Sequence, residues 1–341
     1  MKTFAHYSET RDNNFNLVRF IAASLVIFSH SYPLTLGRGT PEPLSSFLGM
    51  SAGHLAVNIF FVVSGFLISK SFCDRNHLLT FLYARCLRIF PALIVIVLFC
   101  VLIIGVLFTQ LPLSDYFLSD KTYKYIIKNV TLVFFSLQYA LPGVFSDTVY
   151  PLVVNGSLWT LPIEVRMYLL VALTGFIGVL HKKYLFNILV LLSALFYIYT
   201  FFSLEISTEA LRLSGFFLVG TFCYINRKEI PLNGYILLGI ITLAIIFRFW
   251  QTSFFGLFFC LLIVHATFWF SLVPAGFIRR FNEIGDFSYG LYIYAFPIQQ
   301  VIATLYTDIQ PLEMLTVSFF VTLLCAYLSW HWIEKPVLTF K

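Results

Sequence analysis

Side chains that ionise or carry protons are scarce in this sequence, and those that fall inside long apolar runs are where chemistry has to be sought. Arg19 and His30 stand eleven positions apart in NLVRFIAASLVIFSH (16–30). At 100° per residue that spacing returns to nearly the same face of a helix, displaced by roughly 16 Å along its axis. A cation and an imidazole on one stripe suit general acid–base work or attack by a ring nitrogen. A snorkelling arginine and a packed core histidine would use the same two residues. Glu164 lies in SLWTLPIEVRMY (157–168), about 10 Å below the outer end of its apolar run, and His30 about 6 Å below the outer end of its own. Similar depth predicts a carboxylate beside the imidazole, orienting the ring and stabilising its cation, unless Glu164 pairs with Arg166 or Arg19 as helix glue.

Further candidates follow along the chain. Arg85 and Arg88 in FLYARCLRIFP (81–91) are one helical turn apart at the start of an apolar run, with Arg75 a short way before them. Paired guanidiniums clamp phosphates bidentately, and they serve equally well as basic residues against anionic lipid. His54, Asn58 and Ser64 put polar groups along HLAVNIFFVVSGFLI (54–68), where Ser64–Gly65 reads first as close helix packing. Trp159 reads as an interfacial anchor, His265 as a packed core histidine, and Arg212 and Arg248 as cations near span ends that snorkel. Tyr289, Tyr292 and Tyr294 in GDFSYGLYIYAFPIQQ (285–300) line a cavity or pack as aromatics. The six cysteines are scattered singly, so neither a disulfide framework nor a metal site is expected, and P-loop and HExxH patterns are absent.

The elements that must position these groups follow from composition. Of 341 residues, 59% are hydrophobic and only 11% charged, against roughly a quarter in soluble domains. Mean hydropathy is +0.87. This excludes a soluble globular protein, a disordered chain and a fibrous repeat. The 22 Lys and Arg form no basic block, which excludes a nucleic-acid partner. Apolar runs near 15–34, 54–72, 89–109, 157–180, 184–202, 210–226, 231–249, 253–272, 287–306 and 312–333 predict an all-α bundle of about ten membrane spans in a single domain, 1–341. The first run, with Arg19 inside it and no small-residue cleavage site after it, is expected to be a retained span. Residues 126–141, broken by Asn129, Ser136 and Gln138, are expected to form a loop with re-entrant or interfacial character. Fourteen Lys and Arg, Arg11 among them, flank one side of the spans and four the other (Arg38, Lys121, Lys124, Lys128), which predicts both termini in the cytoplasm. Loops 35–53 and 110–156 then lie outside and are the surfaces expected to choose a substrate.

Six segments in order, NNFNLVRFIAASLVIFSH (13–30), VNIFFVVSGFLI (57–68), the R-x-x-R of Arg85 and Arg88, SLWTLPIEVRMY, GDFSYGLYIYAFP (285–297) and SWHWIEKP (329–336), resemble the acyltransferase type 3 family of integral membrane proteins. Bacterial members O-acylate lipopolysaccharide O-antigens, exopolysaccharides and related glycans. The resemblance covers essentially the whole chain. It implies a multi-pass enzyme of the bacterial inner membrane that takes an acetyl group from cytoplasmic acetyl-CoA and gives it to a lipid-linked or surface polysaccharide, without a metal. It carries catalysis onto Arg19 and His30, donor binding onto Arg85 and Arg88, and a supporting role onto Glu164; Arg75, close to the pair, is expected to help hold the donor phosphates. Trp159, Asn58, Ser64 and Tyr292 become substrate-side or supporting residues. Two departures stand out: Ala295 occupies a position where many relatives have His, and Asn58 one where Asp is usual. A fused esterase-like domain, as in larger members, is not expected. Buried Arg, Glu and His also suit a glycan-lipid or proton-coupled transporter, or a non-catalytic assembly factor. A transporter predicts internal repeats, which the sequence does not display.

Overall fold

The computed structural model describes residues 2–9, 12–132, 136–203, 208–250 and 254–341, so Arg11 lies outside the described residues. Among the described residues the chain is helical, and its β-pairing is confined to two isolated bridges, Thr3 with Pro231 and Thr109 with Val144. In a bilayer every backbone N–H and C=O has to be satisfied internally, and helices do this within one segment. The main elements are α1 (Phe15–Leu36), α2 (Ala52–Arg75), α3 (Leu78–Phe99), α4 (Asp120–Thr131), α5 (Leu161–Phe176), α6 (Lys183–Ser203), α7 (Glu209–Ile225), α8 (Gly234–Phe249), α9 (Phe254–Leu272), α10 (Ser288–Leu305) and α11 (Pro311–Ser329).

Each of the ten apolar runs falls on a helix, and seven helices are long and apolar enough to cross a membrane. These are α1, α2, α3 extended to Phe108, α5 with its lead from Gly156, α6, α9, and α11 extended to Leu338. Of the other three, α7 has 17 residues and α8 has 16. Helix α10 has 18 and is buried on nearly every side. Protein rather than lipid surrounds it, which is why it tolerates Gln299 and Gln300 in its middle. Two helices change pitch: α3 passes through a π turn at Cys100–Gly105, and α11 through another at Trp330–Glu334.

The 126–141 stretch divides. Its first part completes α4, which stops at Leu132 in the left-handed conformation (φ 53°); residues 133–135 lie outside the described residues. Asn129 then holds the returning chain, donating to the Gln138 carbonyl at 2.7 Å and accepting from its N–H at 3.2 Å.

The chain forms two compact units: Met1–Arg19, Val57–Leu82 and Arg166–Gly285 make one, and Phe20–Ala56, Tyr83–Val165 and Asp286–Lys341 the other. In the first, α2 and α7 interlock backbone to backbone. A Cβ on Gly65 would lie 2.0 Å from the Phe217 carbonyl oxygen, and one on Gly220 would lie 2.1 Å from that of Val62. Ser69 donates to Thr221 Oγ1 at 3.0 Å in the same seam. The small-residue reading of Ser64–Gly65 is therefore met at Gly65. Gly65→Val is expected to force the helices apart at a cost of about 1–3 kcal/mol, read as a lower thermal unfolding midpoint in detergent; an unchanged midpoint would show that the seam yields. In the second unit α10 lies along α11 with equally little room, since a Cβ on Gly290 would meet Ala326 at 2.9 Å.

Candidate functional site

Helix α1 runs unbroken from Phe15 to Leu36, as the apolar pattern predicts, and carries both Arg19 and His30. Arg19 belongs to the first unit and His30 to the second. Around His30 the second unit builds a line of aromatic contacts. The imidazole meets Phe296 edge-on with ring centres 5.2 Å apart. Phe296 meets Tyr150 edge-on at 5.9 Å. The exposed guanidinium of Arg38 lies 4.4 Å over the Tyr150 ring and donates to the Pro151 carbonyl at 3.0 Å. An imidazole in the helix is thereby linked, ring by ring, to a cation in the 35–53 loop.

Four local devices fix that line. Asn155 caps the 3₁₀ turn Gly156–Thr160, accepting from the Ser157 N–H at 3.1 Å and donating to the Ile293 carbonyl at 2.9 Å. Gly156 lies so close to Phe296 that a Cβ there would stand 2.6 Å from the ring. Gln300 donates to the carbonyls of Tyr150 (2.8 Å) and Val153 (2.7 Å). Gln299 donates to the Ile27 carbonyl and to the Ser31 hydroxyl, each at 3.0 Å. Both glutamines are fully buried. Amides in these positions act as cross-links between α10 and the segments around it.

His30 Nδ1 is buried without a hydrogen-bond partner among the described residues. The expected bond from Glu164 is thus not made at that nitrogen. Glu164 is half-buried in the first turn of α5, within electrostatic reach of Tyr292, whose hydroxyl shares a 2.8 Å hydrogen bond with Thr160. Equal depth along two helices sets height but leaves azimuth open. Trp159 is half-buried in the 3₁₀ turn ahead of it.

The arginine pair of α3 is built differently from a surface clamp. Arg88 forms ion pairs with Asp286 at 2.5 Å and Glu334 at 3.3 Å, with side-chain exposures of 13%, 11% and 2%. At that burial the three charges are one desolvated group. Each carboxylate has further ties: Ser288 Oγ donates to Asp286 at 2.5 Å, and Ser329 Oγ to Glu334 at 3.1 Å. Tyr289, beside the guanidinium, donates to the Ile89 carbonyl at 3.0 Å. Arg85, one turn earlier, is half-buried.

Arg75, Asn58, Arg212, Ser64 and His265 lie in the first unit. Arg75 bonds Ser71 Oγ on its own helix at 2.6 Å. Asn58, fully buried, accepts from Arg212, which also pairs with Glu209, so Arg212 is tied to side chains as well as lying near a span end. Ser64 is half-buried beside the α2–α7 seam. His265 Nε2 lies 3.3 Å from the Asn233 carbonyl, so the histidine expected to pack in the core is half-buried with a carbonyl partner. Gln299 and Gln300 do not ionise, and Asp286 and Glu334 stand at span ends, so none of the four is marked in the sequence by an ionisable group within a span. A pair of amides in the middle of an apolar run was the available signal.

A family model described as an acyltransferase domain matches residues 12–331. An O-acetyl transferase of Shigella phage Sf6 is 31% identical over 351 residues, covering 96% of this chain and 97% of the relative. Nodulation protein 10 of Rhizobium leguminosarum bv. viciae is 31% identical over 169 residues, covering 48% of this chain and 44% of that protein. No solved structure matches the chain.

Proposed function

This chain belongs to the acyltransferase type 3 family of multi-pass membrane proteins, and on that premise we propose that it moves an acetyl group from cytoplasmic acetyl-CoA to a hydroxyl of a surface glycan on the opposite side. The phage relative, an O-acetyl transferase similar over nearly its full length, supports acetyl as the group and oxygen as the receiving atom. The observation that carries the chemistry is His30: a buried imidazole nitrogen, Nδ1, with no hydrogen-bond partner among the described residues, on a helix of a chain whose family transfers acyl groups.

In this reading the imidazole takes the proton of a sugar hydroxyl as the oxygen attacks the thioester carbonyl carbon. The C–S bond breaks, and the imidazolium returns the proton to the leaving thiolate, giving a sugar ester and free CoA. Transfer through a short-lived acetyl-imidazole reaches the same products. Glu164 enters as a supporting group beside Tyr292 rather than through a bond to Nδ1. Arg85 meets the donor phosphates, and Arg88, held by its two carboxylates, fixes the helix that presents Arg85. Arg19, Arg75, Asn58, Ser64, Trp159 and Tyr292 enter the proposal as positioning groups, and a bacterial cytoplasmic membrane as the location.

Mass analysis of surface polysaccharide from cells with and without the gene tests this directly. One additional acetyl unit per repeat is expected when the gene is present. An unchanged glycan would overturn the reading and favour transport or assembly.

A further inference from the structure

Gln299 is buried in α10, and the orientation of its amide is determined. Its nitrogen sits 3.0 Å from the Ile27 carbonyl oxygen, an atom that only accepts, so the NH2 group is the end bonded to Ile27 and Oε1 is the end left to accept from another group. That oxygen is buried and receives no hydrogen bond among the described residues. Ile27 and Ser31, which hold the amide, flank His30 on α1. Phe296, one turn before Gln299 on α10, is the ring that meets the imidazole. Ser157 Oγ, next to the glycine that packs on Phe296, is also buried and without a hydrogen-bond partner among the described residues. Polar atoms inside a protein are nearly always paired, so a buried amide oxygen left without a donor, one helical turn from the ring that meets the imidazole, calls for a ligand that completes it.

Oε1 accepts hydrogen bonds and cannot donate, so the completing ligand must bring an O–H or N–H. We infer that Gln299 is a specificity-determining residue that receives a hydrogen bond from a second hydroxyl of the receiving sugar, beside the hydroxyl deprotonated at His30. The substrate class is then a sugar unit with two neighbouring free hydroxyls, one acylated and one read by the amide. A site built to bind a hydroxyl discriminates far more strongly against its loss than an apolar pocket does. This inference rests on the transferase reading above. The pantetheine arm of the donor also carries N–H groups, and its use of Oε1 is a separate outcome.

The test compares wild type with Gln299→Met, which keeps length and removes the hydrogen-bonding oxygen, and Gln299→Asn, which keeps the amide but withdraws the oxygen by one methylene. Acetyl content and position on the surface polysaccharide are read by NMR at matched membrane levels, and the KM for acetyl-CoA is measured on membranes bearing the same polysaccharide. Both variants are expected to lower acetylation by about tenfold or more, or to spread the ester over adjacent hydroxyls, with the KM for acetyl-CoA unchanged. A purely structural amide would alter both substrates together and leave the ester position alone. Wild-type acetylation at the wild-type position in Gln299→Met overturns the inference while the transferase stands, as does a raised KM for acetyl-CoA with unchanged ester position, which would assign the oxygen to the donor. A glycan left unacetylated by wild type overturns the transferase reading itself.

Discussion

Replacing His30 with alanine is expected to lower acetyl transfer by about 10²- to 10⁴-fold, the usual contribution of one positioned acid–base side chain, while the protein still reaches the membrane. Separation of the two effects follows from what the imidazole touches. Its described ring contact is Phe296, and its Nδ1 makes no hydrogen bond among the described residues, so truncation breaks no hydrogen bond at that nitrogen. Phe296 is itself held by the close approach of Gly156. Acetyl content per polysaccharide repeat, measured beside the amount of protein in the membrane fraction, gives the answer. Normal transfer by a normally inserted His30→Ala protein would remove the imidazole from the reaction.

The second large effect falls on stability. Arg88→Ala would leave the carboxylates of Asp286 and Glu334 buried without their guanidinium, and breaking such a group by removing one member costs about 3–5 kcal/mol. The neutral triple variant Arg88→Met, Asp286→Asn, Glu334→Gln is expected to recover most of that loss, because no uncompensated charge remains. Thermal unfolding midpoints in detergent should fall steeply for the single variant and stand near wild type for the triple. A single variant as stable as wild type would show that the triad is not a structural tie. Donor binding measured on the stable triple variant then shows whether Arg88 contributes to the phosphate site beyond holding α3 in place.

Legibility followed the range of the interactions. The ten helices were readable because hydropathy over about 20 residues is a local property, and the placement of Arg19 and His30 on one continuous helix followed from spacing alone. Gly65 was readable too, since a small residue next to Ser in an apolar run has few other uses. What the sequence did not disclose depends on azimuth and on partners far away in the chain. Glu164 matches His30 in depth and still makes no bond to its Nδ1. Arg88 looked like half of a phosphate clamp because its carboxylates come from residues 286 and 334, some two hundred positions further on. Gln299 and Gln300 carry no charge, so a search weighted by ionisation passed over the amides that hold α10 in place.

The π turn at Trp330–Glu334 has a bearing on how this fold tolerates changes in length. Ser329 and Glu334 are five residues apart, yet their side chains bond at 3.1 Å. On a regular α-helix, five residues would leave them about 140° apart around the axis. The wide turn brings them to one side and aims the carboxylate at Arg88. Removing one residue from this stretch would let a regular α-helix, with serine and glutamate four apart and about 40° around the axis, keep them on one side, whereas inserting one would rotate the anion out of the interior without substituting a single charged side chain: here an added residue is an electrostatic event.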